Sequence, residues 1–121
     1  MLRQHFVLLT VMSLLYMSFT FKNINQLFNT TLQITVRNEL GNVIEGAEVL
    51  LYKTEEDYEK NINPVMEAQY TNAKGIVTIK NLEPVEFYVN VSKDDANNFG
   101  AGVQTGKLDA KKMNKVTIII E

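Results

Sequence analysis

Residues 32–52 read LQITVRNELGNVIEGAEVLLY, and this stretch decides the fold. Leu32, Ile34 and Val36 alternate with Gln33, Thr35 and Arg37. A period of two sends one face of an extended strand into a core and the other to water. Asn38-Glu39-Leu40-Gly41-Asn42 has the composition of a turn. Beyond it, Ala47, Val49 and Leu51 supply a second inward face, with Glu48 pointing out. Leu50 and Tyr52 break that alternation, which implies burial on both faces of the second strand or an apolar outer patch.

The same period continues down the chain. Met66, Ala68 and Tyr70 alternate with Glu67 and Gln69, which predicts Tyr70 inward. Asn72-Ala73-Lys74-Gly75 is a hairpin-type turn in which Gly75 takes positive φ. Val77 and Ile79 form the next inward pair, with Leu82 plugging the end of the core. Phe87, Val89 and Val91 alternate with Glu86, Tyr88 and Asn90. The last strand carries Val116, Ile118 and Ile120, and Ile119 breaks its alternation. Gly102-Val103-Gln104-Thr105 adds a short seventh strand. Six to seven short strands separated by polar turns, with no helical stripe among them, predict an all-β sandwich.

Two connections are long. Thr54–Pro64 (TEEDYEKNINP) opens with Thr54 and Asp57 in capping-box spacing, with acidic residues suited to the positive end of a helix. It predicts one helical turn that stops before Pro64. Asp94–Asn114 is rich in Asn and Gly and reads as an exposed excursion.

The N-terminus is of another kind. Arg3 precedes Phe6–Phe21, a run of 16 residues without charge. This is the layout of a secretory signal peptide over residues 1–21, with a weak cleavage site at Ser18 and Thr20. An uncleaved anchor is the rival reading, although the run is short of the ~20 residues a spanning helix needs. Residues 22–30 are a polar, Asn-rich linker, and the domain occupies 31–121. The chain has no Cys and one His, His5, which falls in the leader. Without Cys there is no lipid-anchoring residue, no disulfide framework and no thiol nucleophile. A mature chain without His also lacks Ser-His-Asp catalysis and His-ligated metals. Twelve basic residues against fourteen acidic give a net charge of −2. With no basic patch interleaved with aromatics, nucleic acid is not an expected partner.

From Leu32 onward the chain resembles the carboxypeptidase regulatory-like domain, also called the transthyretin-like or prealbumin-like sandwich, close to the B-type repeats of collagen adhesins. The residues that carry the resemblance are ITVRNELGNVIEGAEVLLY, YTNAKGIVTIKNLEP and FYVNVSKDD. The loop NNFGAGVQTGKL is similar to one in small exported proteins of Bacteroidetes-type bacteria. The resemblance implies an antiparallel Greek-key β-sandwich in the periplasm or at the cell surface. Val85 stands where the family has Gly after Pro, which implies a wider turn there. The fold hosts many roles, so it does not by itself fix function.

Candidate chemistry is sparse. Some similar adhesin repeats form an isopeptide bond from a first-strand Lys to a last-strand Asn. Here the inward positions are Ile34 and Val36, and Asn114 has no Lys partner. The carboxylates Glu55, Glu56, Asp57 and Glu59 fall on the first long connection, in a solvated setting. Asp94 and Asp95 are a weak calcium candidate, since the ligand order of a calcium loop is missing. The expected contact residues are Tyr58, Asn97, Asn98 and Phe99 on the two long loops. The expected function is a non-catalytic exported module that binds an envelope or surface protein and needs no cofactor. A carbohydrate-binding module, or an accessory subunit of an envelope enzyme or transporter, is the alternative. A glycan partner would stack on exposed aromatics, and the absence of Trp weighs against it.

Overall fold

The alternating segment that opens the domain forms β1 (Thr31–Asn38) in the computed structural model, which describes residues 29–121. The expected signal peptide over residues 1–21 and residues 22–28 of the expected linker lie outside the described residues. Seven strands follow: β2 (Glu48–Tyr52), β3 (Gln69–Tyr70), β4 (Ile76–Ile79), β5 (Glu86–Lys93), β6 (Ala96–Asn97), β7 (Gln104–Lys107) and β8 (Met113–Ile120). One sheet has the order β4-β1-β8. The other has the order β3-β2-β5-β6, and β7 pairs with β5 as well. The inward rows of the two sheets close on one another as an all-β sandwich. Leu32, Ile34, Val36, Val77, Ile79, Ile118 and Ile120 share one core with Val49, Leu51, Phe87, Val89 and Val91. Each fully buried side chain of this kind contributes about 1.5–3 kcal/mol.

Strand order differs from the antiparallel expectation at one pair. β1 and β8 run parallel over eight residues, from Thr31 beside Met113 to Asn38 beside Ile120. Parallel neighbours need a crossover, and here the whole of residues 39–112 is that crossover. The remaining strand pairs are antiparallel.

β1 and β2 are not partners either. The chain doubles back after β1 only as far as Ile44, whose N–H donates to the Val36 carbonyl at 2.9 Å. Gly46 (φ 73°) then diverts it into the other sheet. Buried Thr71 holds this departure from both sides. Its hydroxyl donates to the Ile44 carbonyl at 2.6 Å and accepts from the Ala47 N–H at 2.9 Å. The turn at Asn72–Gly75 carries the chain back to the first sheet. A Cβ on Gly75 would sit 2.9 Å from the Val36 carbonyl oxygen and from the Val43 Cβ, so no larger residue fits.

Tyr70 is exposed rather than inward. It pairs with Glu48, an outward position of β2, and residues opposite one another share a face. Its hydroxyl donates to Glu48 Oε2 at 3.3 Å. The turn at Pro84 is tight and not wide: the Val85 N–H donates to the Glu83 carbonyl at 2.9 Å, and Val85 packs partly against the core.

Candidate functional site

The first long connection folds as α1 (Glu55–Lys60). Thr54 caps it, its hydroxyl accepting from the Asp57 N–H at 3.1 Å. Asn61 ends it in the left-handed region. The helix lies over the outer face of the second sheet because that face is aromatic there. Tyr52 and Tyr88 are register partners on β2 and β5 and both point outward. Tyr58, the one buried helix residue, lands on them. Its ring stands edge-on to Tyr52 at 5.9 Å between centroids and tilted against Tyr88 at 6.3 Å. Tyr52 is thereby 1% exposed, which accounts for its break in the alternation of β2.

The second long connection meets the first at this point. The Phe99 ring lies 6.3 Å from that of Tyr58, yet Phe99 is 76% exposed. Its backbone is fixed from behind: the Phe99 N–H donates to Asn97 Oδ1 at 2.9 Å. Asn97 in turn exchanges two backbone hydrogen bonds with Glu121, at 3.1 and 3.0 Å, which ties β6 to the end of β8. A large apolar ring is therefore presented to solvent on a fixed aromatic base.

The four expected contact residues have different parts in this arrangement. Phe99 is the exposed one. Asn97 positions it. Tyr58 lies beneath it, 8% exposed, and its hydroxyl has no hydrogen-bond partner among the described residues. Asn98 is not a surface contact. It is fully buried, its Oδ1 accepts from the Val91 N–H at 3.0 Å, and its Nδ2 donates to the carbonyls of Val89 and Gly102 at 2.9 and 3.2 Å. An Asn in an Asn-rich loop gives no sequence signal for such a role. Tyr52 and Tyr88 complete the base; in the sequence the broken alternation of β2 marks Tyr52, and Tyr88 marks itself as an aromatic at an outward position of β5.

Charge around the patch is acidic. Glu55, Glu56 and Glu59 are exposed on the helix that carries Tyr58, with Glu56 accepting from Lys60 at 2.7 Å. Burial pushes the Tyr58 phenol above its ordinary range, with Tyr52 adding to the shift. Burial also raises Tyr52, with the charge of Glu48 adding to it. At the tip of the β1 turn, a hydrogen bond with Glu121 and the repulsion between the two carboxylates hold Glu39 above the usual carboxylate range.

Asp94 and Asp95 form the two-residue turn between β5 and β6, with Asp94 at φ 53°. Among the described residues no three metal-ligating side chains converge. Asn114 uses its amide to close the loop before β8, donating to the Thr31 and Asp109 carbonyls at 3.2 and 3.0 Å. An open cleft of about 490 Å³ between Pro84 and Lys107–Ala110 holds Lys107 and Asp109 but no carboxylate pair. Among the described residues no helix is long and apolar enough to cross a membrane.

No protein-family model matches the sequence, and no curated protein matches it. The fold does have solved counterparts. The Streptococcal ancillary pilin is 13% identical with a TM-score of 0.53, over 77% of this chain and 32% of that one. The group B streptococcus pilus 2b backbone protein is 16% identical with a TM-score of 0.51, over 76% of this chain and 40% of that one. The chain thus spans well under half the length of either pilin. At these identities the likeness shows a shared β-sandwich fold.

Proposed function

We propose that this chain is an exported, non-catalytic β-sandwich module of the transthyretin-like class that docks a cell-envelope or surface protein through Phe99. The observation that carries the reading is an aromatic ring left 76% exposed on a base of buried tyrosines, with its backbone held by Asn97. Aromatic side chains with rigid backing are the usual anchors of protein interfaces. The fold shared with two pilin subunits supports placement in a surface assembly. The acidic helix beside the patch selects for a partner whose rim is basic. A glycan is the less favoured occupant. Sugar-binding platforms align several exposed rings, and in this cluster Phe99 is open while Tyr52 and Tyr58 are buried and Tyr88 is half-buried.

Cross-linking in intact cells tests the reading. A photoreactive residue at exposed Ala101 is expected to capture one discrete envelope protein. Phe99→Ala should abolish that adduct while changing stability by no more than ~0.5 kcal/mol, as for most exposed positions. Tyr70→Ala, elsewhere on the surface, should leave the adduct intact. An adduct that survives Phe99→Ala sinks the proposal.

A further inference from the structure

Charge in this domain is segregated by sheet. The strands β4, β1 and β8 contain no Asp or Glu. Their outward rows carry Arg37 and Lys115, and Lys80 extends β4 one residue beyond the inward Leu32–Ile79 pair, onto the same outward face. Residues 107–115, which lead into β8, add Lys107, Lys111 and Lys112 against a single carboxylate, Asp109. Glu39 and Glu121 lie at the far end of the sheet, past Asn38 and Ile120. The other acidic side chains lie across the sandwich. Glu48 and Glu86 stand on β2 and β5, and α1, over the outer face of that sheet, carries four carboxylates. A chain of net charge −2 thus has one predominantly cationic end.

Lys80, Lys111, Lys112 and Lys115 gather where the chain enters this sheet. The Thr31 N–H donates to the Lys112 carbonyl at 2.9 Å, and the Lys111 N–H donates to Thr30 Oγ1 at 2.9 Å. From the other side, the Leu82 N–H donates to the Thr30 carbonyl at 3.1 Å. The backbone under the lysines is therefore fixed while their side chains are exposed. Among the described residues none of the four has an ion-pair partner. Met113 sits in their midst, 53% exposed, beside Thr31 and on the same face as Lys115. Ammonium groups around an exposed apolar side chain match an anionic lipid surface, whose phosphates take the charges and whose interface takes the methionine. Nucleic acid is a poorer match, because no aromatic ring stands among these residues for a base to stack on. The uncharged run Phe6–Phe21 ends nine residues before Thr31, a contour of at most about 32 Å. The segment of sequence best suited to a bilayer thus joins the domain at this same edge.

We propose that the domain rests on an anionic phospholipid surface through the entry end of the β4-β1-β8 sheet, with Lys80, Lys111, Lys112 and Lys115 on the headgroup phosphates and Met113 in the interface. The same lipids repel the acidic helix on the other sheet, which fixes the orientation. α1 and the Phe99 patch then face away from the bilayer, where a partner can reach them. The proposal stands on the charge and topology of the first sheet and is independent of the docking reading.

Vesicle experiments on the full chain test it. The apolar run of residues 6–21 is drawn to any bilayer whatever its charge, so the readout is the position of the domain and not binding alone. The sequence has no Cys, so one polarity-sensitive fluorophore can be attached at Ala110→Cys, beside the lysines, or at Glu59→Cys, on α1; both positions are exposed. With vesicles of phosphatidylcholine and phosphatidylglycerol, the label at position 110 is expected to shift to shorter wavelength and to be quenched by spin-labelled headgroups. The label at position 59 should do neither. Vesicles of phosphatidylcholine alone should leave both labels unchanged, and added salt should reverse the response. Lys80→Gln, Lys111→Gln, Lys112→Gln and Lys115→Gln together should weaken it by at least about tenfold, with the thermal melt of the domain unchanged. A response at position 110 that persists in phosphatidylcholine, resists salt, appears equally at position 59 or survives the four substitutions overturns the proposal. Tighter binding of soluble polyphosphate than of the vesicles would assign the lysines to a polyanion and overturn it as well. If the fourfold variant does not fold, the comparison of positions 110 and 59 decides by itself. Phe99→Ala should leave the vesicle response intact, so this proposal and the docking reading fail separately.

Discussion

Between β6 and β7 the outer edge of β5 has no strand beside it, and the Asn98 side chain takes the place of one. Its amide accepts from the Val91 N–H and donates to the Val89 carbonyl, groups that would otherwise be buried and unpaired. Leaving such groups without partners costs about 1–3 kcal/mol apiece. Asn98→Ala is therefore expected to lower the unfolding free energy by about 3 kcal/mol, read from the denaturant midpoint in urea. Phe99, its neighbour, sits in the same loop and carries almost no stability, because its ring is in water. The division explains why the contact set was only half legible. Composition marks residues 97–99 as a loop that presents side chains, and Phe99 is presented. Nothing in a lone Asn codon announces an amide used as backbone; that use arises because two short strands share one edge of β5 and leave a gap between them.

Strands that alternate cleanly declare themselves, and β1, β5 and β8 lie where their apolar periods put them. Sheet membership is harder to read. β1 and β2 look like a hairpin in sequence, since a turn separates two alternating runs. They part because Gly46 and Thr71 redirect the chain, and Thr71 is distant in sequence from the place it controls. β6 is two residues long, too short for a period to exist. The helix, by contrast, was written in its cap. Thr54 bonds the Asp57 N–H, and the six-residue helix has little besides this and the Tyr58 contact to hold it. Thr54→Ala is expected to cost about 1 kcal/mol, the usual worth of such a cap. Fraying of α1 would uncover Tyr52 and Tyr88. Amide hydrogen exchange should accelerate over residues 55–61 and not in β5.

At the scale of the molecule, the sandwich closes only when its last strand finds its first. Contacts of such long sequence separation make for slow folding, since the loop between them must be closed before they form. Until then β8 is unpaired, and its sequence is unusual. Val116-Thr117-Ile118-Ile119-Ile120 is five β-branched residues in succession, with Lys115 and Glu121 as the flanking charges. In the native state β1 covers one edge of this segment and the core covers one face. Ile119, which broke the alternation, is only half-buried on the other. A short, uncharged, β-branched run of this kind is the sequence pattern of a steric zipper. The strand that closes the sandwich is thus also the one most able to seed fibrils when the domain opens. Heating should end in thioflavin-positive aggregate rather than reversible melting. Ile119→Lys, which puts a charge on the solvent side of that run, should suppress the aggregate and raise the refolding yield while leaving the fold intact.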